Sequence, residues 1–149
     1  MLVTQKCQYA LRALFELARR GNGRPVKIAE VAQAQAIPKR FLEVILSQLK
    51  QGGFVTSQRG SEGGYTLART PGDLSVGEVI RFVQGPVGPV DCLEGDARDK
   101  CPLSRGCVFL PMWQEAADAI SGVYDKTTFQ DLLEQAPRTH DERVASYAI

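Results

Sequence analysis

The stretch that decides the fold runs from residue 28 to residue 68 and reads IAEVAQAQAIPKRFLEVILSQLKQGGFVTSQRGSEGGYTLA. Its first half predicts a short helix, a turn at Ala36 and a longer helix that begins near Pro38 and ends at a glycine pair. Its second half predicts two strands, 54–58 and 65–68, which are joined by a glycine-rich tip. This order of elements is that of a winged helix-turn-helix.

The longer helix has two chemically different sides. At 3.6 residues per turn, its apolar residues gather on one side, which we expect to face the core, and Val44 falls at the border of that side. The apolar residues are Phe41, Leu42, Ile45, Leu46 and Leu49.

The polar side of this helix and the hairpin tip form the predicted DNA contact. The second helix of such a pair enters the major groove, where Lys39 and Arg40 reach guanine edges or phosphates. Arg59, which is followed by glycines on the tip, suits a narrow minor groove. A solvated cationic face, or a winged helix used only for protein contacts, is the alternative. The predicted DNA-binding residues are Pro38, Lys39, Arg40, Glu43, Ser47, Arg59, Gly60, Ser61 and Gly63.

Helical patterns lie on both sides of this stretch, so the predicted fold class is mainly α with one small β-hairpin. Upstream, residues 9–18 have helical spacing; downstream, Ser75 and Glu78 form a capping box that opens another helix. A longer helix at 109–124 has an apolar stripe that is large for so small a core. We therefore expect a C-terminal dimerisation helix at a two-fold interface. The predicted interface residues are Trp113, Ala116, Ala117, Ile120 and Val123.

The chain divides into four predicted segments. A winged helix-turn-helix DNA-binding domain takes residues 1–84, and a cysteine-bearing sensor loop takes residues 85–108. Dimerisation helices follow at 109–137, and a polar tail takes residues 138–149. No apolar run approaches the roughly 20 residues that cross a bilayer, and we find no signal peptide. We therefore expect a cytoplasmic protein without a membrane partner.

The charge of the chain is divided unequally between its two halves. Residues 1–70 hold 11 Lys and Arg against 4 Asp and Glu, a net charge of +7, whereas residues 71–149 hold 7 against 13, a net charge of −6. Such an asymmetry is expected where only one part of a protein meets a polyanion. It favours the N-terminal half as the nucleic-acid contact, with uneven solvating charge as the alternative.

Three of the four cysteines, Cys92, Cys101 and Cys107, fall within one 16-residue window. In a reducing compartment, clustered cysteines are more often metal-binding or redox-active than disulfide-bonded. Thiolates suit iron–sulfur clusters and zinc, although neither gap has the CxxC spacing of zinc ribbons. An iron–sulfur cluster, a zinc site and a thiol redox switch therefore stay open. Cys7 is predicted to be a core residue, and His140 in the tail is assigned no role.

An enzyme that uses these cysteines with a metal is a further alternative. No poised histidine, Ser–His pair or paired-carboxylate motif stands near the cysteines in the sequence. We therefore predict that the chain is not an enzyme.

Several segments together carry a family signature, which is most specific at the wing. They are KCQYALRAL at 6–14, IP at 37–38, FLE at 41–43, RGSEGGYTLA at 59–68 and GEVI at 77–80. With these segments the chain resembles, over about residues 1–135, the Rrf2 family of bacterial transcription regulators. The resemblance implies a homodimer held by the 109–124 helix. It also implies binding of double-stranded DNA, at a palindromic operator, through the helix at 38–47 and the wing.

The resemblance also implies an iron–sulfur cluster on Cys92, Cys101 and Cys107, since cluster-binding members of the family carry three cysteines in this loop. Two departures leave the fourth ligand open. Cluster-assembly regulators have a histidine where this chain has Leu110, and nitric-oxide sensors have an aspartate, given by the partner subunit, where it has Gln8. We expect protein prepared in air to be largely free of the cluster. The remaining candidates for the fourth ligand are Asp91, Glu94, Asp96, Asp99 and, from the partner chain, Cys7.

Overall fold

Helices make up most of the chain, as predicted, and one two-stranded hairpin lies between them within the part of the chain that is described. The computed structural model describes residues 2–136, so the predicted polar tail and His140 lie outside it. The 3-10 turns Pro71–Asp73 and Asp91–Leu93 supplement the main elements. In chain order these are α1 (Gln5–Arg20), α2 (Ile28–Gln35), α3 (Lys39–Gln51), β1 (Val55–Gln58), β2 (Gly64–Leu67), α4 (Val76–Gln84), α5 (Asp96–Lys100), α6 (Leu110–Lys126) and α7 (Phe129–Gln135).

Helix α1 is the centre of the winged domain. Thr4 caps its first turn, because the Thr4 hydroxyl oxygen accepts a hydrogen bond from the Cys7 amide at 3.2 Å. The helix packs against α2, α3, α4 and α7. Leu14 and Leu17 of α1 and Phe129 of α7 are each at most 1% exposed in the core they share. Helix α7, which the sequence analysis groups with the dimerisation helices, therefore packs into the core of its own subunit.

One carboxylate, that of Glu16, is completely buried on α1. Arg19 and Arg20 donate to it from the next turn, and Gln35 Nε2, at the end of α2, donates to Glu16 Oε2 at 2.8 Å. Burial acts to raise the pKa of this carboxyl, but the hydrogen bonds from these three side chains outweigh it and lower the pKa to about 2. The Glu16 cluster therefore ties α1 to the end of α2, next to the turn of the helix-turn-helix.

The turn between α2 and α3 is made by Ala36 and Ile37. Ala36 has a left-handed backbone (φ 50°, ψ 47°), and no other non-glycine residue in the described range has a positive φ. This conformation costs an alanine on the order of 1–2 kcal/mol. Ile37, 4% exposed, anchors the turn in the core. Pro38 stands just before α3 as its N-cap, one position earlier than its predicted place in the first turn.

The buried side of α3 confirms four of the five predicted core positions. Leu42, Ile45, Leu46 and Leu49 are all nearly or fully inaccessible. The prediction for Phe41 was wrong, since its side chain is 62% exposed. Position 41 lies just outside the arc formed by the four buried residues, so no neighbouring element covers it.

Helix α4 joins the winged domain to α6. The predicted capping box is present: the Ser75 hydroxyl accepts from the Glu78 amide at 3.2 Å, and the Glu78 carboxylate accepts from the Ser75 amide at 3.0 Å. Arg81 of α4 donates twice to the carboxylate of Asp125 on α6, at 2.5 and 3.0 Å. Gly77 makes room for this pair, because a Cβ at that position would overlap the Asp125 carboxylate.

Helix α6 presents different residues to its own subunit and to solvent. Ala117 is 5% exposed, and Ile120 packs half-buried beside the cluster formed by Cys7, Ile80 and Val87. Ala117, predicted for the dimer interface, is thus already covered by its own subunit, because it packs close to Gly88 in the segment that follows α4. The other side of α6 is open and apolar. It carries Phe109, Met112, Ala116, Ala119 and Val123.

The segment at 85–108 is not the continuous loop that was predicted. It contains the 3-10 turn Asp91–Leu93 and the five-residue helix α5. Its first part is anchored by Val87, which is 7% exposed, whereas every residue of α5 is exposed. Because α5 buries no apolar side, it left no helical period in the sequence. Among residues 2–136, no helix is both long and apolar enough to cross a membrane.

Candidate nucleic-acid interface and cysteine segment

The polar side of α3 lies open to solvent along its whole length. Lys39, Arg40, Glu43 and Ser47 are all exposed, as is the preceding Pro38. The buried leucines on the opposite side fix the rotation of the helix, so these side chains cannot turn inward. This exposed surface is called the recognition face below.

The wing is a short antiparallel hairpin with a five-residue tip. Strands β1 and β2 pair in register from Val55 opposite Leu67 to Gln58 opposite Gly64, and the Thr56 and Thr66 hydroxyls share a hydrogen bond of 2.7 Å. The tip closes through a hydrogen bond from the Gly63 amide to the Gly60 carbonyl at 3.0 Å. Gly60 has a φ of 107°, a conformation that favours glycine.

Glycine at position 64 anchors the wing to the rest of the domain. The Tyr65 amide donates to the Val26 carbonyl at 2.8 Å, and the Val26 amide donates to the Tyr65 carbonyl at 2.9 Å. A Cβ at Gly64, whose φ is 151°, would lie 2.3 Å from the Val26 carbonyl oxygen. The wing therefore sits against the segment before α2 at a distance that only glycine allows, a close approach that the sequence pattern did not reveal.

A concave surface of about 580 Å³, called the wing groove below, separates the recognition face from the wing. The Lys50 ammonium crosses from α3 to β1 and donates to the Ser57 hydroxyl at 2.6 Å. Among the described residues, four cations line the groove, and Glu43 is the one carboxylate there. These cations are Lys27, Lys39, Lys50 and Arg59. A concave surface with this charge suits a phosphate backbone, which is bound by cations at a salt-dependent cost.

Eight of the nine predicted DNA-binding residues are exposed, and the ninth, Gly63, is buried. The predicted residues that line the wing groove are Lys39, Glu43, Arg59, Gly60 and Gly63. A Cβ at Gly63 would lie 2.3 Å from the Gln58 carbonyl oxygen, so this glycine shapes the tip. Lys27 and Lys50 were not among the predicted DNA-binding residues: Lys27 stands just before α2, and Lys50 lies in the last turn of α3, beyond residues 38–47. Their positive charge was a signal, but only the fold brings them to the same groove.

The three clustered cysteines are spread over three local elements. Cys92 lies in the 3-10 turn, Cys101 follows the last residue of α5, and Cys107 comes shortly before α6. All three are half-buried free thiols. Cys107 borders a shallow concavity of about 480 Å³ that is also lined by Arg98 and Arg105.

The cysteine segment provides suitable donors for a cluster but does not assemble them. Thiolates are the ligands that iron–sulfur clusters take in proteins. Within residues 2–136, however, no three His, Cys, Asp or Glu side chains are close enough to hold one metal ion. A cluster on Cys92, Cys101 and Cys107 thus requires a change in the conformation of this segment.

Cys7 is removed from this chemistry. Its side chain is completely buried against Ile80 and Val87, as predicted for a core residue. Burial raises the pKa of the Cys7 thiol, which disfavours the thiolate that a metal requires. Cys7 of a partner chain is therefore a poor candidate for the fourth ligand.

Comparison with known proteins identifies the class of the chain. Residues 3–135 match the Rrf2 family, described as iron-dependent transcriptional regulators. The regulator CymR of Bacillus subtilis is 34% identical over 132 residues, which cover 89% of each protein. The regulator IscR of Cronobacter sakazakii is 30% identical over 148 residues, which cover 95% of this chain and 90% of IscR.

Comparison of the fold with solved structures indicates the same class of protein. The solved structure of B. subtilis CymR, titled as the global cysteine regulator of that organism, matches with a TM-score of 0.75 at 31% identity and covers 92% of this chain and 99% of CymR. The predicted winged helix-turn-helix is thereby confirmed, and so is the prediction that the chain is not an enzyme, since its relatives are named as regulators. The chain belongs to the Rrf2 family of transcriptional regulators.

Proposed function

We propose that this regulator binds double-stranded DNA as a homodimer, with the recognition face in the major groove and the wing on the flanking backbone or minor groove. The observation that carries the proposal is the wing groove, where α3 and the wing present cations on two sides of one concave surface. Two copies related by a two-fold axis read two half-sites, so the operator is palindromic.

The open side of α6 supports the homodimer. Phe109, Met112 and Val123 are 58%, 50% and 64% exposed, and with Ala116 and Ala119 they recur at the alternating three- and four-residue spacing of a helix–helix seam. Of the predicted interface residues, Val123 and Ala116 lie on this seam, while Trp113 and Ile120 lie at its border. The DNA-binding domain, the cysteine segment and α6 are accordingly proposed as three functional parts of one subunit.

Light scattering on variants of α6 tests the dimer. Val123→Asp places a charge in the seam without disturbing the subunit core, so we expect a monomer at micromolar concentration. Gln114→Asp is the matched control, because Gln114 is exposed on the opposite side of α6. A monomeric wild type, or a Val123→Asp protein that stays dimeric, contradicts this part of the proposal.

We further propose that the segment at 92–107 is the sensor and that it holds an iron–sulfur cluster on Cys92, Cys101 and Cys107. Three thiols in one segment support this, as do the relatives named IscR. When bound, the cluster would supply a redox- and iron-sensitive charge centre at this place. The segment also has a route to the DNA-binding domain. It leads into α6, which Asp125 and Arg81 link to α4. The hydrogen bond to Asp125 is the main cause that raises the pKa of Arg81, and Glu94 of the cysteine segment makes a smaller contribution.

A sensor without a cluster is the second candidate, and one observation favours it. The three thiols are not gathered around a common point in the described chain, which suits a thiol sensor that acts by oxidation of separate cysteines. The relative named CymR, titled a cysteine regulator, adds weight to this alternative.

Anaerobic purification followed by iron, sulfide and zinc assays decides between the two. The cluster proposal predicts iron and inorganic sulfide together with visible absorption, all lost in each of the variants Cys92→Ala, Cys101→Ala and Cys107→Ala. Cys7→Ala is the matched control and retains the cluster. Stoichiometric zinc without sulfide, or neither metal, overturns the cluster and leaves the zinc or thiol sensor.

A further inference from the structure

Two large apolar side chains lie open to solvent on the recognition face. Phe41 is 62% exposed and Val44 is 57% exposed, although both belong to a helix whose other side is buried in the core. At a spacing of three residues they are neighbours on the helix surface. They therefore form a continuous apolar patch, which is called the Phe41 patch below.

The Phe41 patch and the wing groove occupy opposite edges of the same face. Lys39, Glu43 and Lys50 share one edge by their spacing and line the wing groove. Phe41 and Val44 lie on the other edge, with Arg40 and Ser47 between the two. In the binding mode proposed above, α3 lies in the major groove, so the edge of α3 that carries the patch lies in that groove as well.

Charge decides which occupant suits the Phe41 patch. Arg40 borders the patch, and the exposed cations Lys39 and Lys50 lie on the opposite edge of the same helix, so the positive charge of this face favours a polyanion over an apolar protein surface. In the major groove only thymine presents an apolar group, its C5-methyl. Phenylalanine and aliphatic side chains are suitable contacts for that methyl group.

We propose that Phe41 and Val44 are specificity-determining residues that contact thymine methyl groups in each operator half-site. The inference rests on the proposed DNA-binding function and deepens it. It assigns thymine preference to the edge of α3 away from the wing, whereas Arg40 and Ser47 at the centre are left to hydrogen-bond base edges.

Replacing thymine by deoxyuridine tests this contact, because it removes the methyl group and keeps the Watson–Crick pair. A high-affinity operator is first selected from random double-stranded DNA with the purified full chain. Each thymine is then replaced singly, and the affinity is measured by fluorescence anisotropy at one fixed salt concentration. For wild type we expect at least one position per half-site where deoxyuridine weakens binding about fourfold, the value of one buried methyl-sized group.

Variants of the patch connect that loss to particular side chains. In Phe41→Ala or Val44→Ala the deoxyuridine penalty disappears at the position that the side chain contacts, while Phe41→Leu retains it. Both positions are solvent-exposed and alanine favours a helix, so the thermal midpoint stays unchanged. Leu2→Ala is the control for loss of an exposed apolar side chain, since Leu2 is 90% exposed and precedes α1, far from α3 in the chain.

The outcomes distinguish a failure of the proposed DNA binding from a failure of the thymine contact alone. If no sequence is enriched from the random pool, DNA binding itself is wrong and the inference falls with it. If an operator is enriched but every thymine tolerates deoxyuridine, or if the penalty persists in both alanine variants, only the thymine contact is wrong. A variant that loses dimerisation instead identifies the Phe41 patch as a contact between copies and also overturns the inference.

Discussion

The recognition face and the cysteine segment, to which we assign DNA binding and sensing, are built very differently in the same chain. The recognition face is fixed from behind by four buried side chains of α3, and Lys50 connects it to the wing. In the cysteine segment α5 is fully exposed and the three thiols do not converge. The contrast indicates that the proposed DNA-binding surface is preformed, whereas the ligands of the proposed sensor are not assembled in the described chain.

The largest effect is expected from the core behind the recognition face. Leu46 is completely buried, so Leu46→Ala should lower the free energy of unfolding by about 2–5 kcal/mol. Urea denaturation measures this change. Leu103→Ala, in the exposed cysteine segment, is the comparison and should stay within about 0.5 kcal/mol of wild type. Equal losses in the two variants would erase the contrast between the regions.

The buried Glu16 carboxylate should make the stability of the domain depend on pH in the acidic range. Its folded-state pKa of about 2 lies below the ordinary value of 4.5, so its contribution is present above about pH 5 and is lost as the pH falls towards 2. The full contribution is about 3 kcal/mol on this basis. Unfolding of wild type and Glu16→Gln should therefore differ most at neutral pH.

Comparing wild type with Glu16→Gln isolates the contribution of Glu16 to the pH dependence of stability. Other carboxyls with lowered pKa values, such as those of Glu78 and Asp125, are present in both proteins. The stability gap between wild type and Glu16→Gln should close between pH 5 and pH 2. A gap that is the same at pH 7 and pH 3 would show that the Glu16 cluster is not ionised as described.

Weakening the attachment of the wing should have a smaller effect on stability. Gly64→Ala forces a Cβ towards the Val26 carbonyl at a φ that L-residues avoid, which should cost about 1–3 kcal/mol and weaken operator binding. Gly72→Ala is the matched control, since the nearest atom to a Cβ there is 4.0 Å away. Anisotropy and thermal unfolding measure the two effects. A fully stable Gly64→Ala protein would mean that the wing is not held against residue 26.

The cysteine variants should have the smallest effect on folding. Cys92, Cys101 and Cys107 are half-exposed, so replacing all three by alanine should change the free energy of unfolding of the cluster-free protein by no more than about 0.5 kcal/mol. The same protein should still dimerise. A loss of several kcal/mol would show that the thiols are part of the folded core, contrary to the contrast drawn here.

Short-range sequence patterns were sufficient to predict much of the DNA-binding domain. The apolar period of α3, the Ser75 capping box and the glycines of the tip all act over a few residues, and each appears where it was predicted. The orientation of Phe41 could not be obtained in this way. An apolar residue at the edge of a helix stripe is buried or exposed according to the elements packed beside it, which no local pattern specifies.

Long-range packing explains the other differences between the predicted and the observed structure. Glu16 falls by its spacing on the polar side of α1, yet Arg19, Arg20 and Gln35 surround it once α2 is in place. Ala117 belongs to the apolar stripe of α6 but faces its own subunit, because the 85–93 segment folds under it. The ligand set of the cysteine segment was left open by its spacing and stays open, since the thiols lie apart.

Salt dependence of operator binding tests the central claim, that the recognition face and the wing together bind DNA. The measurement compares wild type, Arg40→Ala and Arg59→Ala on the selected operator across a range of salt concentrations. We predict a steep linear fall of log affinity with log salt for wild type and a loss of about 1–3 kcal/mol in each variant, without loss of folding. Binding that is insensitive to salt, or three identical binding curves, would contradict it.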